Sequence, residues 1–149
     1  MGAVQLLGAL VAVLIAAFSF YYYANAHTET AKRALTIHRI TAIQEALDKY
    51  CVDCGGQLPT AKQGLGVLLT KPTRRPIPSE WAGPYLNDDA ALQDGWNRPL
   101  KYVCPGSPLA PGSSIMAPYD LASYGRDGAE GGKGLDRDIR SRDRSTMMP

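Results

Sequence analysis

The sequence predicts an α+β fold in which one long N-terminal helix carries a small domain with a sheet. Three observations predict it. No charged residue occurs in residues 3–24, and the apolar stripe Ile37, Ile40, Ile43, Leu47, Tyr50 then recurs at helical spacings of three and four. No Pro precedes Pro59, and the only early glycines are Gly2 and Gly8, so nothing interrupts that helix. Residues 100–104 and 119–124 alternate or run apolar between turn-rich stretches and read as strands.

The helix divides by solvent. Residues 1–50 form it, with 3–24 expected to span a bilayer and 25–50 to be amphipathic. At about 1.5 Å per residue the apolar part is roughly 33 Å long, enough for a hydrocarbon core. Tyr21, Tyr22 and Tyr23 suit an interfacial aromatic belt. A cleaved signal peptide is the other reading, because Ala24-Asn25-Ala26 resembles a cleavage site. Against it, nothing basic precedes the run, and the run exceeds the usual signal-peptide length. The stripe of the second half must be buried, and a sheet from the rest of the chain is its natural partner.

Composition limits the function classes. The chain has 149 residues, 16 basic and 14 acidic, for a net charge of +2. No basic cluster marks a nucleic-acid surface. Gly and Pro concentrate after residue 54, so residues 51–140 form one small, loop-rich domain. His27 and His38 have no Cys or carboxylate at ligand spacing and read as polar-face residues. Ser-His-Asp, Walker and Rossmann patterns are absent.

Cys51-Val52-Asp53-Cys54 follows the helix directly. A thioredoxin-type site would open a helix after a strand, and zinc would need about four ligands where only Cys104 remains to help. A disulfide among Cys51, Cys54 and Cys104 is the default outside the cytoplasm, with the pairing open. Thr60 and Gln63 form a capping box, and Leu65, Leu68 and Leu69 then give a short helix one buried face, ended by Lys71-Pro72. Residues 74–78 are an extended connection, 87–90 an acidic loop and 107–117 a Pro-, Gly- and Ser-rich loop.

The chain resembles the major pseudopilins of type II secretion systems, relatives of type IV pilins. The matching blocks, in the family's order, begin with Ala46-Leu47-Asp48-Lys49-Tyr50, then Leu58-Pro59-Thr60 with Gln63-Gly64-Leu65. Trp81-Ala82-Gly83-Pro84-Tyr85-Leu86 and Asp94-Gly95-Trp96-Asn97-Arg98-Pro99-Leu100-Lys101-Tyr102 follow. Tyr119 to Gly128 (YDLASYGRDG), Glu130-Gly131-Gly132 and Asp138-Ile139 complete the set. The resemblance implies the type IV pilin-like fold, a long helix packed on a small antiparallel sheet with a C-terminal Gly-rich loop.

Departures from the family are specific. The family carries a basic leader cut before a methylated Phe, a Glu at the fifth mature residue and a kinking Pro after about twenty residues. Here Met1 falls in the Phe position, the leader is missing, Gln5 stands for the Glu and Tyr22 for the Pro. Either the start is truncated or misassigned, or the chain is a divergent member that is neither processed nor methylated. In the family's filament the Glu is thought to pair with a neighbour's amino terminus. Gln5 offers hydrogen bonds but no charge, so packing registered by that ion pair is expected to be lost.

One constellation has site chemistry. Asp127, Glu130, Asp136 and Asp138 lie in a loop with Gly125, Gly128, Gly131, Gly132 and Gly134. Hard oxygens on a turning backbone suit calcium, although the EF-hand spacing fails at Ala129 and Gly131. The alternative is a solvated glycine loop. The resemblance implies calcium held by the Asp127, Asp136 and Asp138 carboxylates and the Leu121 and Ser123 carbonyls. Arg126, Lys133, Arg137 and Arg140 oppose cation binding, Lys133 stands where the family often has an acid, and the family's closing Trp is replaced by Arg140-Ser141-Arg142. A loop with so few apolar residues would gain order from a bound ion by mass action. Residues 141–149 read as a disordered tail.

The expected function is that of a structural, non-catalytic pseudopilin. The resemblance implies a single-pass bacterial inner-membrane protein with its domain in the periplasm. It implies self-association, other pseudopilins and the inner-membrane secretion machinery as partners. The positive-inside rule points the other way, since Lys32 and Arg33 follow the span; the family's orientation is preferred. Two other classes remain: an anchored binding module that never polymerises, favoured by Gln5, and a periplasmic thiol protein using Cys51 and Cys54.

Overall fold

A computed structural model describes residues 2–109 and 113–143. Helix α1 runs unbroken over Ala3–Asp53, 51 residues, through Tyr22 and on past the predicted end at residue 50. Gly2 precedes it in an extended conformation, and the Cys54 N–H closes it on the Tyr50 carbonyl at 2.9 Å. With no Pro and no interior Gly after Gly8, every backbone N–H past the first turn has its acceptor four residues back.

The chain beyond α1 is mostly turns around a small sheet. Strands β1 (Lys101–Val103), β2 (Asp120–Ser123) and β3 (Ile139–Arg140) form an antiparallel sheet in the order β1-β2-β3. Lys101 faces Ala122, Val103 faces Asp120, and Ser123 faces Ile139. The predicted strands are therefore present but shorter than residues 100–104 and 119–124. The two ends of the loop 107–117 are paired: Gly106 donates to the Ala117 carbonyl at 2.9 Å and Ala117 to Ser107 at 3.0 Å. Strand β3 was not anticipated, because two residues carry no period.

The tail expectation is corrected in part. Ser141 is tied to β2, its N–H to the Leu121 carbonyl at 2.9 Å and its hydroxyl accepting from the Leu121 N–H at 3.2 Å. Arg142 pairs with Asp120 at 2.7 Å. Residues 144–149 lie outside the described residues.

The capping box forms with both reciprocal bonds: the Gln63 amide oxygen accepts from the Thr60 N–H at 3.0 Å, and the Thr60 hydroxyl from the Gln63 N–H at 3.3 Å. It closes a turn rather than opening an α-helix. Gly64 then takes a positive φ of 66°, and only a 3-10 turn, Leu65–Leu68, follows. Gln63 is diverted to hold the 74–78 connection, donating to the Arg74 and Pro76 carbonyls at 3.0 and 2.7 Å.

The core sits between the second half of α1 and everything after it. Ile40, Ile43, Leu47 and Tyr50 are buried with Leu65, Leu68, Leu86, Leu100, Leu121 and Ile139. Strand β2 supplies the central inward residues, Leu121 and Ser123. Each buried Leu or Ile stabilises by about 1.5–3 kcal/mol. Leu121→Ala is expected to cost about 2–5 kcal/mol, read as a lowered unfolding midpoint of the full-length chain in detergent micelles. Val103→Ala, on the outward face of β1, is expected to change stability by less than about 0.5 kcal/mol.

Candidate functional site

Two regions carry the family-specific features: the outer half of α1, and the Gly-rich loop where it meets the helix. The loop is positioned by a turn, Asp94 to Arg98, which the sequence places ahead of a strand but whose partners on α1 and β2 it does not show. Thr36 is fully buried on α1; its hydroxyl donates to the Lys32 carbonyl and accepts from the Gly95 N–H, both at 2.8 Å. A Cβ on Gly95 would collide with the Lys32 carbonyl, so only glycine allows this approach. The Asp94 carboxylate, 2% exposed, accepts the Trp96 and Arg98 N–H groups at 2.9 Å each and the Ser123 hydroxyl at 2.7 Å. Arg39 donates to the Asp94 carbonyl at 3.0 Å. One short turn thereby joins α1 to β2 through buried, fully partnered polar groups. The signal was present as Asp94 preceding two backbone donors at spacings of two and four, the pattern of an Asx turn.

Trp96 extends the joint toward the membrane. Its indole N–H donates to Glu29 at 2.7 Å, and Lys32 pairs with the same carboxylate at 2.9 Å. The Trp96 bond first, and then the Lys32 bond, hold the Glu29 carboxyl below its ordinary 4.5. Arg98 lies over the Trp96 ring, 5.7 Å from its centroid, and its guanidinium donates to the Gly125 carbonyl at the mouth of the loop.

Within the loop, arginines hold the acids. Arg126 forks onto Asp136 with bonds of 2.8 and 3.1 Å. Arg140 reaches Asp138 at 2.8 Å and Glu130 at 3.0 Å. The other Asp138 oxygen accepts the Gly131 N–H at 3.0 Å, and Asp127 accepts the Ala129 N–H at 3.1 Å. These bonds raise both guanidinium pKa values: Arg126 chiefly through Asp136, Arg140 through Asp138 and then Glu130. Arg33 of α1 donates to the Arg137 carbonyl at 3.0 Å, and burial first, then the Arg137 charge, lower its pKa. Gly125 has a φ of 65°, and a Cβ there would lie 2.7 Å from the Asp136 carbonyl, so the loop folds tightly back on its own start.

This donor set does not fit the calcium expected from the resemblance. Asp127, Asp136 and Asp138 do not converge: among the described residues no three acidic, His or Cys side chains gather at one point. The Leu121 carbonyl is engaged by the Ser141 N–H. A cation of that kind takes six to eight oxygens, and these oxygens already face guanidinium and backbone donors.

Cys51, Cys54 and Cys104, the candidates for a disulfide, stand as free cysteines in this structure. Cys54 is buried at the end of α1, and burial pushes its pKa up, which keeps the thiol protonated. Cys104 donates to the Pro118 carbonyl at 3.4 Å. His27 and His38 are exposed, as expected. Gln5 is exposed one turn into α1.

Among the described residues, the outer half of α1 packs against no other element. Leu7, Leu10, Leu14, Phe18, Phe20 and Tyr21 to Tyr23 are all exposed, and the helix is long and apolar enough to cross a membrane. A single helix, apolar and bare at one end and carrying a small antiparallel sheet at the other, defines a pilin-like subunit. The profile described as "Type II secretion system (T2SS), protein G" matches residues 24–142. The chain is 37% identical over 115 residues to the type II secretion system core protein G of Pseudomonas aeruginosa, covering 74% of this chain and 71% of that one. It is 34% identical over 112 residues to the core protein G of Vibrio cholerae, covering 74% and 68%. The crystal structure of the major pseudopilin from the type 2 secretion system of enterohaemorrhagic Escherichia coli matches with a TM-score of 0.59 at 26% identity, over 78% of this chain and 90% of that one. This chain belongs to the type II secretion system protein G family, the major pseudopilins.

The Glu29 contact makes stability acid-sensitive. A carboxyl whose folded pKa is depressed contributes fully above its unfolded value, and the contribution is lost as pH falls through the folded value. The unfolding midpoint of the full-length chain is expected to fall as pH drops below about 4.5. Glu29→Gln is expected to lower the midpoint at pH 7 and to make that acid fall shallower, as followed by circular dichroism.

Proposed function

We propose that this chain is a structural subunit of a type II protein secretion system. It is anchored in the bacterial inner membrane by the apolar half of α1, with its domain in the periplasm. Copies assemble with one another and with other pseudopilins into a pseudopilus that drives protein export, fed by the inner-membrane machinery. Its work is mechanical and it catalyses no reaction. The observation that carries this is the unbroken α1, whose first half is apolar and bare while its second half is the spine of the domain.

Two environments can cover that bare half, lipid tails and neighbouring helices. Both are apolar, so leaving the bilayer for a filament core costs little transfer free energy, and helix packing decides. Gly8, Ala12 and Ala16 recur every four residues on one edge of α1, where small side chains let helix backbones approach. Cys54 is buried, and burial raises its pKa, which disfavours a nucleophilic role for that thiol.

Gln5 favours a second reading, an anchored binding module that does not polymerise. A photo-crosslinking amino acid in place of Leu14, in full-length protein co-expressed with the secretion machinery, separates the two. A ladder of dimers and higher multimers is expected. Monomer alone, or one adduct with a different protein, would favour the binding module instead.

A further inference from the structure

The charges of the Gly-rich loop balance in number. Asp127, Glu130, Asp136 and Asp138 are matched in number by Arg126, Lys133, Arg137 and Arg140, so the segment has no surplus negative charge to attract a cation. Geometry goes further than this balance. The bidentate Arg126–Asp136 pair bridges the start of the loop to its last turn. Arg140, on β3, draws Asp138 and Glu130 together from the other side. Arg98 enters from the Asp94 turn and bonds the Gly125 carbonyl, and a Cβ on Gly128 would run into that guanidinium. Arg33 ties the loop to α1 through the Arg137 carbonyl.

We propose that guanidinium groups hold this loop in the place where the resemblance puts a divalent cation, and that the folded domain is independent of calcium. The chemistry is a substitution of like for like. A calcium ion gathers carboxylates and carbonyls around one point charge; planar guanidinium forks gather them from several points, with directed bonds and no ion to lose. Arg126 forks onto Asp136, one Arg140 nitrogen bridges Asp138 and Glu130, and Arg98 and Arg33 each donate to one carbonyl. The loop is then ordered by the chain itself, whatever the divalent ion concentration outside the cell.

The test uses the full-length chain in detergent micelles. Thermal unfolding, limited proteolysis and calcium titration calorimetry are run in a chelator and in about 5 mM calcium, a concentration above the weakest affinities usual for protein calcium sites. The unfolding midpoint and the rate of cleavage within residues 125–138 are expected to be the same in both, with no saturable calcium binding. In the chelator, the Arg126→Gln, Arg140→Gln double variant is expected to be cleaved in the loop at least several-fold faster than the wild type. A midpoint rise of more than about 2 °C on adding calcium to the wild type, or saturable binding, would overturn the proposal. Unchanged cleavage of the double variant would overturn it as well, and the wild-type measurements decide the calcium question even if that variant does not fold.

Discussion

Burial of one stripe of α1 holds the domain together. Strands of three, four and two residues cannot stand as an independent sheet. They persist because Ile40, Ile43, Leu47 and Tyr50 form one apolar ridge on α1, and Leu121 and Ile139 close over it. The apolar contact leaves the sheet free to slide or tilt. The turn around Asp94 removes that freedom, because Thr36, Gly95, Asp94 and Ser123 form a chain of short bonds from helix to central strand. Hydrophobic area supplies most of the stability, and the buried polar joint supplies the register.

This arrangement gives one helix two solvents. Its second half is the core of a folded domain, while its first half has no partner in the chain and must find one in lipid or in other helices. Because α1 is continuous, any force or displacement on the apolar half passes to the domain through hydrogen-bonded backbone rather than through a linker. Glu29 and Trp96 stiffen the transition, bonding where the helix emerges from the span and before the core begins.

Much of this was legible in the sequence, and the failures have physical reasons. The length of α1 followed from the absence of Pro and of interior Gly after Gly8 and from the apolar stripe, and strands β1 and β2 from short alternations between turns. The Thr60–Gln63 capping box was legible as a hydrogen-bond pattern, but the element it serves was not: Gly64 bends the chain away before a helix can form. Strand β3 and the docking of Ser141 could not be read, since two residues have no period and their partner, Leu121, is distant in the chain. The acids of the loop were found as a group, and the nearby arginines were counted as repulsion toward a cation. Their actual role, as the partners of those acids, depends on folding that brings Arg98 and Arg140 to the loop from separate elements. Cys54 lies at the buried helix end beside Tyr50 and Tyr85, a setting that the Cys51/Cys54 spacing alone does not reveal.

Continuity of α1 from the bare half into the core is the central claim, and a distance measures it directly. Spin labels at Ser19 and Gln44, in a full-length variant with Cys51, Cys54 and Cys104 replaced by Ala, are separated by 25 residues of helix. Pulsed electron paramagnetic resonance in lipid nanodiscs should give one narrow distribution centred near 37 Å, from a rise of about 1.5 Å per residue. A broad distribution, or a second and shorter peak, would mean that the helix breaks near Tyr22 and that the domain is tethered to its anchor rather than built on it.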